Sequence, residues 1–206
     1  MSTRRSAPPW ARGLDHIADL RRINVIGTSG SGKSHFSRQL AEVLAIPCYE
    51  MDAVFWKPDW QESADEEFVP KISEITSRDA WILDGNYTRT TPEKWRSVQL
   101  VIWLDLSFPR TVLRVTKRAI LRGWGQHELW PGTGNRESLA KAFLSRDSII
   151  LWAITTYRRN RRKYSGALRS PEWAHIEFIR LRSPREVTAF LADVRRTVER
   201  SDPEPG

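Results

Sequence analysis

The chain has 206 residues, of which 40% are hydrophobic and 28% charged. This composition fits one globular domain with an apolar core and excludes a disordered or collagen-like chain. No run of about 18 apolar residues is present and the N-terminus has no apolar signal stretch, so we expect a cytoplasmic protein that does not interact with membranes. The single cysteine, Cys48, excludes an intrachain disulfide and does not support a cysteine-based zinc cluster.

The formal net charge of +8 is concentrated in one segment. Residues 110–163 contain 13 Lys or Arg against 3 acids, whereas the rest of the chain is close to neutral. A uniformly basic protein would indicate a nucleic-acid partner. A basic segment has to be interpreted together with the motifs that surround it.

Short apolar runs alternate with amphipathic stretches between two loose tails, at 1–13 and 201–206. The predicted strands are 23–26, 47–51, 81–84, 100–106 and 176–181. The predicted helices are 33–44, 65–77, 109–121, 136–164 and 184–199. Because the strand runs are almost continuously apolar, they indicate an α/β fold with a parallel sheet covered by helices on both faces. Ligands of such sheets bind beyond the carboxyl ends of the strands.

The sequence after the first predicted strand matches the phosphate-binding pattern G-x-x-x-x-G-K-[ST] in full. Its residues are Gly27, Thr28, Ser29, Gly30, Ser31, Gly32, Lys33 and Ser34. Backbone N–H groups of such a loop bind phosphate oxygens, Lys33 reaches the β and γ phosphates, and Ser34 offers its hydroxyl to Mg²⁺. The alternative is a glycine turn with an incidental lysine, but the strand before the motif and the helix after it favour ATP binding.

Asp84 and Gly85 directly follow the third predicted strand. A carboxylate at this position, beside the phosphate-binding strand, can hold Mg²⁺ or its water ligands. Gly85 would allow a substrate to approach the backbone. The alternative is a simple Asp-Gly turn; the phosphate-binding motif favours the magnesium site.

Asp52 follows the second predicted strand and begins the sequence DAVFWKPDW. A carboxylate here can accept the proton of an attacking hydroxyl group, or orient that group, in phosphoryl transfer. Trp56 and Trp60 lie four residues apart and can form walls of an acceptor pocket. Two alternatives stay open, with Asp52 as a helix or turn cap and the tryptophans as core residues.

The basic segment begins with a predicted helix whose cations recur three or four residues apart, so most of them share one face. A glycine-rich stretch follows and indicates a lid at approximately 119–137. Arginines that a closing lid brings to the phosphates stabilise the transition state and exclude water. We expect such contacts from Arg118 and from Arg158, with Arg161 and Arg162 as alternatives to Arg158.

Two other interpretations of the basic residues stay open. A solvated charged face accounts for several of them. The run at 158–163 can also serve as a nucleic-acid patch, an interpretation weakened by the lack of a recognised nucleic-acid-binding module.

Three blocks together resemble the bacterial topology modulation proteins, a P-loop group related to adenylate kinases. They are GTSGSGKS at 27–34, DAVFWKPDW at 52–60 and DGNY at 84–87. The resemblance covers residues 22–195, and its specific part is the second and third blocks. It implies a five-stranded parallel sheet in the order 2-3-1-4-5, a small lid, and phosphoryl transfer from ATP with Mg²⁺.

The resemblance also implies roles for single residues. Arg89 stands one position later than the arginine that binds the monophosphate in adenylate kinases. Arg114 and Arg118 have the spacing of arginines that lead into the adenylate kinase lid. Asp52 is placed more like the substrate-side aspartate of shikimate and gluconate kinases.

The sequence thus predicts one P-loop kinase domain at 14–200, expected as a monomer with a dimer as the alternative. It would transfer the γ-phosphate of ATP to a nucleotide, nucleoside or other small acceptor. The predicted catalytic residues are Lys33, Asp52, Asp84 and Arg118. The predicted acceptor-binding residues are Asp52, Trp56, Gly85 and Arg89, and the predicted magnesium ligands are Ser34 and Asp84. The alternative function is an ATP-dependent regulatory protein that associates with nucleic acid and has weak ATPase activity.

Overall fold

The structure is a computed structural model that describes residues 10, 16–125, 128–130, 132–135 and 148–201, without the side chains of 122–125. Its strands are β1 (Arg22–Gly27), β2 (Cys48–Glu50), β3 (Trp81–Asp84), β4 (Leu100–Leu104) and β5 (Glu177–Leu181). The α-helices in this part of the chain are α1 (Lys33–Leu44), α2 (Met51–Phe55), α3 (Asp65–Thr76), α4 (Thr91–Ser97), α5 (Phe108–Gly125), α6 (Ile149–Ala167) and α7 (Pro184–Ser201). None of the described helices is long and apolar enough to cross a membrane.

The five strands form one parallel sheet in the order β2-β3-β1-β4-β5. In the central strand, Ile23 pairs with Ile82 of β3 and with Leu100 of β4. The predicted fold class and strand order are confirmed. Because all strands run in the same direction, their carboxyl ends lie at one edge of the sheet, where ligands bind in folds of this kind.

Each face of the sheet has its own apolar core, because alternate side chains of a strand point to opposite faces. On one face, Ile23 belongs to a buried cluster with Phe36 of α1 and Phe190 of α7. On the other face, Trp103 belongs to a cluster with Phe68 of α3. The helices thus cover both faces, as the sequence predicts.

The helix predictions need two corrections. Helices α2 and α4 lie where the sequence predicted none, because five and seven residues are too few to show a helical period. The predicted lid begins as helix, since α5 continues beyond its predicted end at 121 as far as Gly125. Of the predicted helix at 136–164, residues 136–147 lie outside the described part of the chain.

Trp10 corrects the prediction of a loose tail at 1–13. Its side chain is 4% exposed and packs edge-on against Phe190, with a ring distance of 6.0 Å. Its indole N–H donates a hydrogen bond to Asp193 at 3.0 Å. The indole ring is apolar and packs on Phe190, whereas its N–H is polar and binds Asp193, so tryptophan suits this position. The Pro and Arg residues around Trp10 favour a loose tail in the sequence and give no sign of this contact.

We expect Trp10→Phe to lower the free energy of unfolding by about 1–2 kcal/mol, because it removes the hydrogen bond to Asp193 and some buried ring surface. Urea unfolding measures this value. Trp152→Phe is the matched control, since Trp152 is 57% exposed and its replacement is expected to change the value by less than about 0.5 kcal/mol. Equal effects of the two variants would contradict the docking of Trp10.

Candidate active site

The P-loop, residues 27–34, curls between β1 and α1. Gly30 and Gly32 have left-handed backbone conformations, with φ of 82° and 93°, which glycine adopts without steric cost. A Cβ atom at Gly30 would lie 2.9 Å from the Thr111 carbonyl oxygen, so the loop packs closely against α5. Helix α1 begins at Lys33, which places its unpaired N–H groups and the positive end of its dipole at the loop.

Asn86, just beyond β3, fixes the first residue of the P-loop. Its side-chain oxygen accepts a hydrogen bond from the Gly27 N–H at 3.0 Å, and its amide donates to the Gly27 carbonyl oxygen. The side-chain amide thus binds both backbone groups of Gly27, as the backbone of a neighbouring strand would. The P-loop is therefore tied to the end of the strand that carries Asp84.

Asp84 is the buried carboxylate of the site, with 5% of its surface exposed. Burial raises the pKa of Asp84 to about 6, although the Lys33 ammonium and a hydrogen bond with Ser34 act in the opposite direction. The charge of Asp52 adds to the rise in pKa. The structure thus brings Lys33, Ser34, Asp52 and Asp84 into one electrostatically coupled group.

The pair Ser34 and Asp84 fits a magnesium ion. Oδ1 of Asp84 is buried and has no hydrogen-bond partner among the described residues. A carboxylate and a hydroxyl are oxygen ligands of the kind that Mg²⁺ accepts, together with water and phosphate oxygens. A cation, or one of its water ligands, would satisfy the unpaired oxygen.

Two arginines of α5 reach the P-loop. Arg118 donates to the Ser29 hydroxyl at 3.2 Å, and Arg114 donates to the Ser31 carbonyl oxygen at 3.3 Å. A cleft of about 410 Å³ is lined by Gly30, Gly32, Arg114, Lys117, Arg118 and Leu121. Guanidinium groups bind phosphate oxygens well, so this cleft suits a polyphosphate. Arg118 lines this cleft beside the P-loop, and its contact with ATP stays a prediction.

The arginines of α6 have other surroundings. Arg161 forms an ion pair with Asp105, with an Nε to Oδ2 distance of 3.2 Å, and Arg180 of β5 binds the same carboxylate at 2.5 Å. Asp105 therefore joins α6 to β5 through these two ion pairs. The Arg158 side chain is exposed and shows no hydrogen bond or ion pair with the described residues, and its contact with phosphate stays a prediction.

Asp52 lies exposed in the first turn of α2, where Glu50 and not Asp52 is the N-cap residue. The Tyr87 hydroxyl donates a hydrogen bond to Oδ1 of Asp52 at 2.7 Å. Burial, reinforced by the charge of Asp52, raises the pKa of Tyr87. The hydroxyl therefore stays protonated, and it holds the carboxylate in one orientation just beyond β2.

A row of aromatic rings extends from this carboxylate side toward the segment after α5. The ring centroids are 5.6 Å apart between Trp56 and Trp60, and 5.9 Å apart between Trp60 and Trp130. Asn135 accepts a hydrogen bond from the Trp60 N–H at 2.9 Å and donates to the Lys57 carbonyl oxygen at 2.8 Å. Trp130 and Asn135 of the predicted lid thus contact the loop that carries the two tryptophans.

Two predicted acceptor-binding residues have other contacts. The Arg89 guanidinium forms an ion pair with Asp65 and lies over the Phe55 ring, 4.6 Å from its centroid. A Cβ atom at Gly85 would come within 2.7 Å of the Met51 Cβ. The small size of Gly85 therefore makes room for the Met51 side chain, and its contact with an acceptor stays a prediction.

Lys94 of α4 is fully buried, with 1% of its surface exposed. Its ammonium lies 3.4 Å from the Tyr87 carbonyl oxygen, 3.5 Å from the Gly85 carbonyl oxygen and 3.9 Å from the Met51 sulfur. Burial, together with the charge of Lys163, lowers the pKa of Lys94 to about 7. A buried cation of this kind lowers stability unless its hydrogen bonds compensate.

We expect stability to rise with pH above about 7, by at most about 1.4 kcal/mol per pH unit from this residue. The pKa of Lys94 is lower in the folded chain than in the unfolded one, so the unfolded chain binds more protons between those two values. Urea unfolding at pH 7.0 and at about 8.5 measures the slope, and Lys94→Met is expected to lose this part of it. The exposed Lys71 supplies the control Lys71→Met, which should retain the wild-type slope.

Among solved structures, a shikimate kinase from Acinetobacter baumannii in complex with shikimate is similar to this chain. The TM-score is 0.52 at 17% sequence identity, over 92% of this chain and 98% of the kinase chain. This chain has the fold of the P-loop kinases. A gluconokinase from Sinorhizobium meliloti 1021 also matches, with a TM-score of 0.47 and 15% identity, over 88% of this chain and 93% of that one. No protein-family model and no curated protein matches the sequence.

The arrangement of the strands explains why some of the predicted site residues lie close together. The structure also shows three residues near the site for which the sequence predicted no role. The carboxyl ends of parallel strands lie at one edge of the sheet. At or just beyond these ends lie Lys33, Ser34, Asp52 and Asp84. Asn86 and Tyr87 belong to the DGNY block, and the sequence predicted no role for either, although their position just beyond β3 was a usable signal. Lys94 gave no signal, because a lysine in a short amphipathic helix is normally exposed.

Proposed function

We propose that the protein is an ATP-dependent kinase that transfers the γ-phosphate to a small hydroxyl- or phosphate-bearing acceptor. The observation that carries this proposal is the arrangement at the carboxyl edge of the sheet. There the P-loop, the buried carboxylate of Asp84 and the oriented carboxylate of Asp52 lie together. Such an arrangement has one place for a triphosphate and one for a group that attacks it.

The nucleotide would lie on the P-loop, with its phosphates between the start of α1 and the arginines of α5. Lys33, Arg114 and Arg118 supply positive charge around a γ-phosphoryl group, where negative charge is spread in the transition state. Ser34 and Asp84 would hold Mg²⁺, which neutralises phosphate charge when it is bound. Positioning and charge stabilisation by these residues are the main contributions that phosphoryl transfer needs from a protein.

The acceptor would lie beside Asp52. Tyr87 donates to one oxygen of this carboxylate, so the other oxygen can accept a hydrogen bond from an acceptor hydroxyl and orient it toward the γ-phosphate. The half-buried ring of Trp56 gives the same region an apolar wall. The shikimate kinase that shares the fold binds a small hydroxylated molecule, which supports the inclusion of such compounds among the acceptors to be tested.

A panel of acceptors tests the proposal. ADP release from Mg-ATP is measured with nucleoside monophosphates, nucleosides, hydroxylated acids such as shikimate and gluconate, and neutral polyols. At least one class is expected to raise the rate about tenfold or more above hydrolysis by water. A rate that no acceptor raises, but that DNA or RNA does, would contradict the kinase and favour the nucleic-acid-associated alternative.

A further inference from the structure

The three residues Gly85, Asn86 and Tyr87, which we call the connector, join the two halves of the proposed site. Asn86 binds the N–H and the carbonyl of Gly27 on the nucleotide side. Tyr87 binds Asp52 on the acceptor side at 2.7 Å. Two adjacent side chains of one short loop therefore hold the P-loop and the acceptor-side carboxylate.

The inner side of the connector faces buried polar groups. The Gly85 carbonyl oxygen accepts a hydrogen bond from the Asn24 side chain at 3.3 Å and lies 3.5 Å from the Lys94 ammonium. Asn24 is itself held by the indole N–H of Trp95 at 2.9 Å. Both donors to this carbonyl thus depend on α4, directly through Lys94 or through its neighbour Trp95.

Burial of the Lys94 ammonium costs desolvation free energy, which a side chain that only fills space would not require. Lys94 is buried without a carboxylate contact among the described residues, and an apolar side chain of similar length would fill the same volume without desolvating a charge. What an apolar side chain cannot do is donate to two carbonyl oxygens at once. Those carbonyls belong to the residues on either side of Asn86.

We infer that Lys94 is a positioning residue, which fixes the connector so that Asn86 holds the P-loop and Tyr87 holds Asp52. The inference rests on the proposed function. It assigns Lys94 to both halves of the site, although Lys94 touches neither the nucleotide nor the acceptor. Loss of its hydrogen bonds lets the connector carbonyls turn, and both outward side chains then lose their alignment.

Four variants separate these roles through two readouts. The first is the Kd for a non-hydrolysable ATP analogue with Mg²⁺, measured by calorimetry, and the second is the rate of ADP release at saturating ATP. Asn86→Ala is expected to raise the Kd about tenfold. Tyr87→Phe is expected to leave the Kd within about twofold and to lower the rate about tenfold.

Lys94→Met is expected to raise the Kd and lower the rate, each about tenfold, with a melting temperature at pH 7 no lower than that of the wild type. Lys94→Gln keeps a side-chain donor and is expected to restore at least part of both values. Lys71→Met is the control and should match the wild type in all readouts. An unchanged Kd and rate in folded Lys94→Met would overturn the inference, as would failure of both Lys94 variants to fold.

The outcome is separable from that of the proposed function. If no acceptor is found, the proposed kinase fails, and the rate is then measured with water as the acceptor. The Kd values of Asn86→Ala and Lys94→Met still decide whether the connector positions the P-loop.

Discussion

Lys33→Ala is expected to weaken the binding of an ATP analogue by about 100-fold or more. Lys33 is the charged side chain of the P-loop, and its positive charge acts to lower the pKa of Asp84. Removal of one partner from a desolvated ion contact with phosphate costs about 2–5 kcal/mol, and about 1.4 kcal/mol corresponds to a factor of ten. Isothermal calorimetry with the analogue and Mg²⁺ measures the change.

The control for this variant is Lys71→Ala, which removes an exposed lysine from α3. Its affinity should equal that of the wild type, and both variants should give the same circular dichroism spectrum. Wild-type affinity in Lys33→Ala would remove the P-loop from the proposed nucleotide site.

Asp84→Asn is expected to lower Mg-ATP turnover by about 100- to 1,000-fold while the protein stays folded. The amide has nearly the shape of the carboxylate but carries no charge for a cation. Because burial disfavours the ionised form of Asp84, the neutral amide is expected to be at least as stable in this position. Steady-state ADP release and thermal unfolding measure the two effects.

Asp79→Asn makes the same chemical change at an exposed residue and should leave turnover and stability as they are. A loss of turnover in Asp84→Asn that follows a loss of stability would mean that Asp84 supports the fold only. Full turnover in a stable Asp84→Asn protein would exclude it as a magnesium ligand.

The fold was predictable because its signals are local. Run 100–104 is apolar throughout and run 23–26 is apolar except for Asn24, a pattern that favours buried parallel strands. The P-loop motif requires a strand before it and a helix after it. The strand order came from the resemblance, since local patterns do not specify which strands are neighbours. Short helices such as α4 escaped prediction because one or two turns show no period.

The candidate site was predictable only for residues whose role follows from a local motif or from their position at a strand end. Lys33, Ser34 and Asp84 belong to this class, and the structure brings them together. Arg89 has the right charge, but Asp65 on another element engages it, and no local pattern shows that pairing. Lys94 is the opposite case, because contacts that no local pattern predicts bury it. Met51 is distant in sequence, and the turn after β3 lies outside the helix that carries Lys94.

The most direct test of the kinase proposal is to follow the γ-phosphate itself. Phosphorus NMR of the protein with Mg-ATP and the acceptor panel identifies its destination during turnover. We expect a new phosphoester or phosphoanhydride signal that grows as ADP forms, and that is absent with Lys33→Ala. The appearance of inorganic phosphate alone, at the rate of ADP formation and with every acceptor, would contradict phosphoryl transfer.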